Sequence, residues 1–318
     1  MSERSLAPRP DVRLGGTWTP AQRRKNDLIF ALARSALGLA RAMPDGLLDA
    51  SCAALALGAW AALGRERRRA DAHLRRALGS TSPGSRAVFR GLGSSLADTV
   101  RLLRGDPAIG PRLGFPDEAR RVFTDALAAG RGVVLATAHL GPWERLGAAL
   151  VEAGLPVVTV ARESYDPRFA SLYEELRERR GLRVLYRGRP GFPVAVVRAL
   201  RSNRVLALPM DLGGRGVRTV DAPLLGGVWP LAVGPAELAL RTGAALIVAT
   251  PMPGLDGTPR VEAERIALDP GDAHALTLRI GERLERRLRA WPERWPWMHP
   301  AIGPSGRGVL LPVAPPGR

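Results

Sequence analysis

The chain has 318 residues, 46% of them hydrophobic, enough to bury the core of one large α/β domain or two small ones. Its formal charge is +17 and almost all of the positive side is arginine, Lys25 being the only lysine; such a surface favours acidic partners, whether anionic lipid headgroups, phosphorylated glycolipids, an acidic carrier protein or nucleic acid. Nucleic acid is set aside, because no zinc-finger spacing, RNP-like string or interleaving of aromatic and basic residues is present. The single cysteine, Cys52, excludes an internal disulfide, and His73, His139, His274 and His299 lie too far apart for metal-ligand spacing, so neither a metal nor a bound cofactor is expected.

Residues 1 to 19, rich in Pro, Arg and Gly, read as a loose arm. Thr19 and Pro20 mark a helix start, cap and first turn, and Leu28, Ile29, Leu32, Ala36 and Leu39 follow with helical period until Pro44 and Gly46 break it. Leu47 to Gly64 is the most apolar long stretch, with one acid, Asp49, and Arg65, Arg67, Arg68 and Arg69 directly behind it. Its length sits at the lower limit for a bilayer span, so spanning, surface insertion and ordinary core packing all stay open, with Cys52 either a core or a membrane-facing residue. Ser85 to Leu103 has one apolar face and reads as an amphipathic helix.

From residue 106 the pattern alternates. A helix over Asp117 to Ala129 hands over through Gly130 and Gly132 to the apolar run GVVLATA, a buried strand. Further strands are expected at Leu155 to Ala161, after Gly181, at Arg204 to Met210, at Ala245 to Thr250 and at Arg260 to Leu268, separated by helices that include Pro193 to Leu200 and a long one through Leu276, Ile280, Leu284 and Leu288. Strands alternating with helices predict an α/β fold with a mostly parallel or mixed central sheet flanked by helices. The chain lacks GxGxxG after a first strand and lacks GxxxxGK[ST], which sets aside a dehydrogenase or a P-loop enzyme.

The chemistry concentrates at Gly132 to Gly147. His139 stands at the carboxyl end of its strand, Gly141 and Pro142 turn the chain into a helix, and Glu144 follows five residues after the histidine. A hydroxyl attacks poorly until a base takes its proton; an imidazole does this near neutral pH and does it better when a carboxylate fixes its tautomer. Glu144 is the carboxylate nearest in sequence, although a first-turn acid also suits the helix dipole without any catalytic role. No GxSxG elbow is present, so a covalent acyl-enzyme is not required.

The string AHLGPWE resembles the HxGNWE form of the HxxxxE signature found in the late acyltransferases of lipid A biosynthesis, the lauroyl and myristoyl transferases, within the glycerolipid acyltransferase superfamily. The likeness extends to AHLRRAL, ARESYDPRF, RERRGLRVL, the DLGG that follows Met210, the segment VDAPLLGGVWPLAVGP and the closing WPERWPWMHP, and so covers roughly Arg23 to His299. It departs from the family at Leu212, where a glutamine is usual, at Leu224 and Leu225, where aromatics are usual, and after His299. The resemblance implies a glycerol-3-phosphate acyltransferase-like fold with membrane-associated amino-terminal helices, His139 as base and Glu144 as its orienting acid. It implies Gly141, Arg162 and Asp211 as substrate-binding residues, with backbone N–H groups near Gly141 or the Arg162 side chain as candidates to meet the thioester oxyanion; a clamp on an anionic substrate is an equal alternative for Arg162.

The expected function is transfer of a fatty acyl group from acyl carrier protein, or acyl-CoA, to a hydroxyl of a membrane glycolipid, foremost a lipid A precursor, at the cytoplasmic face of the inner membrane and without nucleic acid. A phospholipid, lysophospholipid or other glycolipid acceptor, acylated from acyl-CoA, is the alternative. The expected partition is an arm over 1–19, a helical membrane-associated region over 20–105, a catalytic α/β region over 106–302 and a tail over 303–318, in a monomer. Trp295 and Trp297 are expected to pack the end of the sheet rather than mark a membrane interface, and Glu237 to be a helix amino-terminal acid rather than a site residue.

Overall fold

The computed structural model describes residues 17–300 apart from 81, 105–111, 163, 165, 179, 180, 214, 215, 269 and 270, and among the described residues five α-helices precede the first strand. The arm up to residue 16, the junction near residue 106 and the tail over 303–318 therefore lie outside the described residues. Helix α1 (Pro20–Ala42) begins as its sequence predicts: the Thr19 hydroxyl accepts the Gln22 N–H at 3.3 Å while the Gln22 side chain accepts the Thr19 N–H at 3.0 Å. No residue of α1 is buried. Helices α2 (Asp45–Ala62) and α3 (Gly64–Leu78) meet at Leu63 with a bend of 93°. Among the described residues no single helix is long and apolar enough to cross a membrane; the bent pair reaches that length only together. Helix α4 (Ser85–Arg104) packs on α2, and Cys52 is buried between them, so its core reading holds. A Cβ on Gly93 of α4 would come within 2.8 Å of the Cys52 carbonyl oxygen, so the two helices touch backbone to backbone.

The α/β part runs α5 (Asp117–Ala128), β1 (Val133–Thr137), α6 (Trp143–Glu152), β2 (Val157–Arg162), α7 (Pro167–Glu178), β3 (Arg183–Arg187), α8 (Phe192–Arg201), β4 (Val205–Pro209), β5 (Thr219–Leu224), β6 (Gly227–Ala232), α9 (Gly234–Thr242), β7 (Ala245–Pro253), β8 (Pro259–Ile266) and α10 (Ala273–Ala290). Six strands form one sheet in the order β3-β2-β4-β1-β7-β8, parallel throughout except that β8 pairs antiparallel with β7. Both faces are covered. Val133 and Leu135 pack with α5 and α6, and Val134 and Ala136 with α8, α9 and α10. That is why the strands read as unbroken apolar runs rather than alternating ones.

Strands β5 and β6 are a separate antiparallel hairpin whose two turn residues, Leu225 and Gly226, both have positive φ, the backbone that matches the twist of a two-residue hairpin. The hairpin presses Leu224, Trp229 and Leu231 into the α10 side of the core. Trp295 and Trp297 are fully buried there too, which settles their packing role. His73, fully buried, bonds through Nδ1 with the Trp297 carbonyl at 2.8 Å; burial drops its pKa to about 4, so it is a neutral packing residue.

A chain of ion pairs ties the amino-terminal helices to α6. Asp98 of α4 accepts Arg101 at 3.4 Å and Arg145 of α6 at 3.0 Å, and Arg101 reaches Asp45 and Asp49 of α2 at 3.3 and 2.6 Å. The Arg145 side chain is only 2% exposed and Asp98 is its one ion-pair partner among the described residues. Removing one member of such a pair leaves a buried charge unmatched, which costs about 3–5 kcal/mol. Asp98→Ala is therefore expected to lower unfolding free energy by about that amount in urea titration; a loss below about 1 kcal/mol, the range of exposed ion pairs, would show that Arg145 finds other solvation.

Candidate active site

The site is made by two neighbouring strands that are far apart in sequence. Strands β1 and β4 are parallel with Thr137 opposite Pro209, and the Met210 N–H donates to the Thr137 carbonyl at 3.0 Å. Each chain then leaves the sheet, so the second residue past each strand, His139 and Asp211, meet at the carboxyl edge. This is where an open parallel sheet places its ligands.

Asp211 is the central group. One carboxylate oxygen, Oδ1, lies 2.9 Å from His139 Nδ1; the other, Oδ2, accepts the His139 backbone N–H at 2.9 Å and the Trp295 indole N–H at 2.7 Å. The Trp229 indole donates to the Asp211 carbonyl at 2.6 Å, and the rings of Trp229 and Trp295 meet edge to face with centroids 5.0 Å apart. The Asp211 side chain is 2% exposed. Burial pushes its proton affinity up, but the charge and hydrogen bonds of His139 and the Trp295 N–H outweigh it and hold the carboxyl below its usual range. For His139, burial pushes the pKa down; the charge and hydrogen bond of Asp211, with the charge of Glu144 added, raise it above that of a free imidazole. Because Nδ1 faces an ionised carboxylate it carries the proton, which leaves Nε2 as the basic nitrogen. The ring stays 30% exposed and Nε2 has no hydrogen-bond partner among the described residues.

Two sequence expectations need correction. Glu144 does not hold the second ring nitrogen: its carboxylate accepts Arg177 of α7 at 2.9 Å, and Asp211 takes the orienting position. The reason is direction. Glu144 lies in the first turn of α6, whereas the Nδ1 side of the imidazole faces across the sheet edge to β4. Glu144 stays close enough to act on His139 by its charge. Gly141, in turn, does not offer an open donor. Its N–H is bonded to the Arg294 carbonyl at 3.0 Å and its carbonyl accepts the Ser95 hydroxyl at 3.0 Å. Its φ of +58° and a Cβ position 2.6 Å from the Trp291 ring make it the glycine that lets the chain turn under that ring. Arg162 stands at the last position of β2, exposed, on the wall of the same cavity as His139.

That cavity has a volume of about 1170 Å³, somewhat larger than ordinary small-molecule pockets. His139, Glu144 and Leu212 line it at the carboxyl edge of the sheet. From there the lining passes Leu208, Val196, Val197 and Leu238 between α8 and α9, and reaches Arg131, Leu200 and Arg241 at the opposite edge. Residues at both ends of β1 contribute, so it runs the length of a strand and its flanks, on the order of 25 Å. Glu237 also lines it but is paired with Arg218 at 2.7 Å. Among the described residues no group of three or more His, Cys, Asp or Glu side chains sits together as a metal site.

Sequence reasoning gave no role to Arg177, which fixes Glu144, or to the Trp229 and Trp295 indoles, which fix Asp211. Trp295 carried a signal in the tryptophan spacing near the carboxyl terminus; Arg177 carried none, being one of many helical arginines.

A phosphatidylinositol mannoside acyltransferase of Mycolicibacterium smegmatis is 34% identical over 180 residues, which is 55% of this chain and 58% of that protein. A protein of the same name from Mycobacterium tuberculosis H37Rv is 33% identical over 191 residues, 55% of this chain and 56% of its own length. The chain thus spans a little over half the length of these curated relatives. The model of the bacterial lipid A biosynthesis acyltransferase family matches residues 22–302, nearly the whole chain, and on that match the protein belongs to this family.

Proposed function

We propose that the protein is an O-acyltransferase that moves a fatty acyl group from a thioester donor, acyl carrier protein or acyl-CoA, to a hydroxyl of a phosphorylated, glycosylated membrane lipid. The observation that carries this reading is the His139–Asp211 pair opening onto a long apolar cavity. Nε2 of His139 removes the hydroxyl proton as the oxygen attacks the thioester carbonyl. Asp211 stabilises the imidazolium that forms, and Glu144, held by Arg177, adds a second negative charge beside it. Collapse of the tetrahedral intermediate expels the thiolate, which recovers the proton from Nε2. The acyl chain lies in the cavity along α8 and α9, where Val196, Val197, Leu208 and Leu238 offer apolar walls.

For the acceptor we favour a mannosylated phosphoinositide over a lipid A precursor, because both relatives described above act on that class by name. The departures at Leu212, Leu224 and Leu225 point away from lipid A as well. Lipid A remains the second reading, supported by the family as a whole. Offering the purified enzyme each acceptor with acyl-CoA and with acyl carrier protein, and reading product by mass spectrometry, separates these readings and the lysophospholipid one. Free fatty acid released without acceptor dependence would instead mark a thioesterase.

The membrane lies against α1 in this reading. Leu28, Leu32 and Leu39 are 61%, 61% and 63% exposed, and Arg23, Arg24 and Lys25 sit beside them. Arg168 of α7 clasps this helix through Asp27 at 2.7 Å and over the Phe30 ring at 4.7 Å. Since α7 follows the strand end at Arg162, the apolar face of α1 is anchored near the cavity mouth, where a lipid acceptor enters. The cytoplasmic face of the inner membrane is the proposed site of action, and this exposed apolar face supports contact with a lipid surface.

Three outcomes test the reading. His139→Ala and Asp211→Asn should lower kcat/KM by roughly 10²–10⁴-fold with the fold intact by circular dichroism; activity within tenfold of the parent in both would remove the dyad. The pH profile of kcat/KM should rise as His139 loses its proton, with an apparent pKa above the free imidazole value of about 6.5. Asp211→Asn should move that limb to lower pH, and Glu144→Gln should move it the same way by less. Finally, replacing Leu28, Ile29 and Leu32 together by serine should weaken co-sedimentation with anionic vesicles by about tenfold or more, whereas unchanged sedimentation would put the contact on another surface.

A further inference from the structure

Strands β2 and β3 run parallel in register, and their last pair is Arg162 opposite Arg187. Paired residues of neighbouring parallel strands stand roughly 4.8 Å apart along the sheet and project to the same side. Both arginines line the cavity at the mouth shared with His139 and Glu144. The surrounding arginines are engaged: Arg177 is taken by Glu144 and Arg218 by Glu237. Arg162 and Arg187 form no ion pair with any described residue. The Arg187 side chain is half-buried, and burial together with the charge of Arg162 pushes its pKa below the usual guanidinium value. Among the described residues no carboxylate pairs with either arginine; two like charges side by side repel, and an anion bridging both relieves that repulsion. The planar guanidinium fork matches phosphate oxygens two at a time.

We infer that Arg162 and Arg187 together form a cradle for a phosphate ester of a substrate, holding it on the wall of the cavity that His139 also lines, two to three strands away along the carboxyl edge. The acyl-transfer reading supplies the identity of that substrate, on which this inference rests, but the binding itself does not depend on turnover. Two sources carry this chemistry. One is the phosphodiester of a phosphoinositide acceptor; the other is the phosphate of the phosphopantetheine arm, present in acyl-CoA and in acyl carrier protein. In either case the cradle fixes the distance between the anion and the reacting atoms, so it sets which substrates present their hydroxyl or thioester to Nε2.

The test uses the full chain with Arg162→Gln, Arg187→Gln and the double variant, and with Arg187→Lys as a conservative control. Binding of coenzyme A and of glycerophosphoinositol is measured by calorimetry, and KM for donor and acceptor by turnover. Loss of a charge-assisted hydrogen bond predicts about ten- to a hundredfold weaker binding of one probe and a matching rise in one KM, with partial recovery in Arg187→Lys. If coenzyme A binding and donor KM move, the cradle holds the donor; if glycerophosphoinositol binding and acceptor KM move, it holds the acceptor. Because Arg162 is exposed, its single variant keeps the test valid should Arg187→Gln fold poorly. Unchanged affinity for both probes and unchanged KM for both substrates in the double variant overturns the cradle while leaving acyl transfer standing. Weakened probe binding in a protein that shows no acyl transfer upholds the cradle and overturns the functional reading.

Discussion

The carboxylate of Asp211 is the contact on which the site depends. A buried carboxylate is costly unless its lone pairs are filled, and here three donors fill them: the backbone and the ring of His139 and the indole of Trp295. One group therefore sets the path of the chain after β1, the orientation of the imidazole, its tautomer and its proton affinity. The tryptophans that pack the sheet end are part of the same device, since Trp295 donates to the carboxylate, Trp229 donates to the Asp211 backbone and the two rings brace each other.

Around that centre the fold divides its tasks by layer. The side of the sheet covered by α5 and α6 carries the ion pairs that fix α6 to α4 and α2, and Leu135, Leu146 and Leu150 on that side also border the cavity. The side covered by α8, α9 and α10 leaves an elongated space between α8 and α9. Helix α1 has no buried residue and is held through Arg168 to the helix that follows β2. In the proposed reaction, the thioester donor and the lipid acceptor meet His139 at this carboxyl edge of the sheet. The excess of arginine is spread over this arrangement in different states: Arg145 and Arg101 are buried in ion pairs, Arg177 positions a carboxylate, and Arg162 and Arg187 face the cavity.

The sequence by itself located most of the elements and singled out His139. Apolar runs with glycines at their ends located the sheet strands, Thr19 and Pro20 located the start of α1, and the histidine after β1 stood out because a strand end followed by a glycine turn and a helix is a recognisable arrangement. It did not show the β5–β6 hairpin, whose turn uses Leu225 at positive φ where asparagine or glycine would have announced it. Only the tertiary structure decided which acid serves His139. Glu144 was the choice by proximity along the chain, but side-chain direction on a helix sends it to Arg177, while strand β4 inserts between β1 and β2 and carries Asp211 to the imidazole. Strand order is set by how distant apolar faces pack, and no local spacing encodes it. For the same reason the pairing of Arg162 with Arg187 follows from the register of two strands and not from any motif in either.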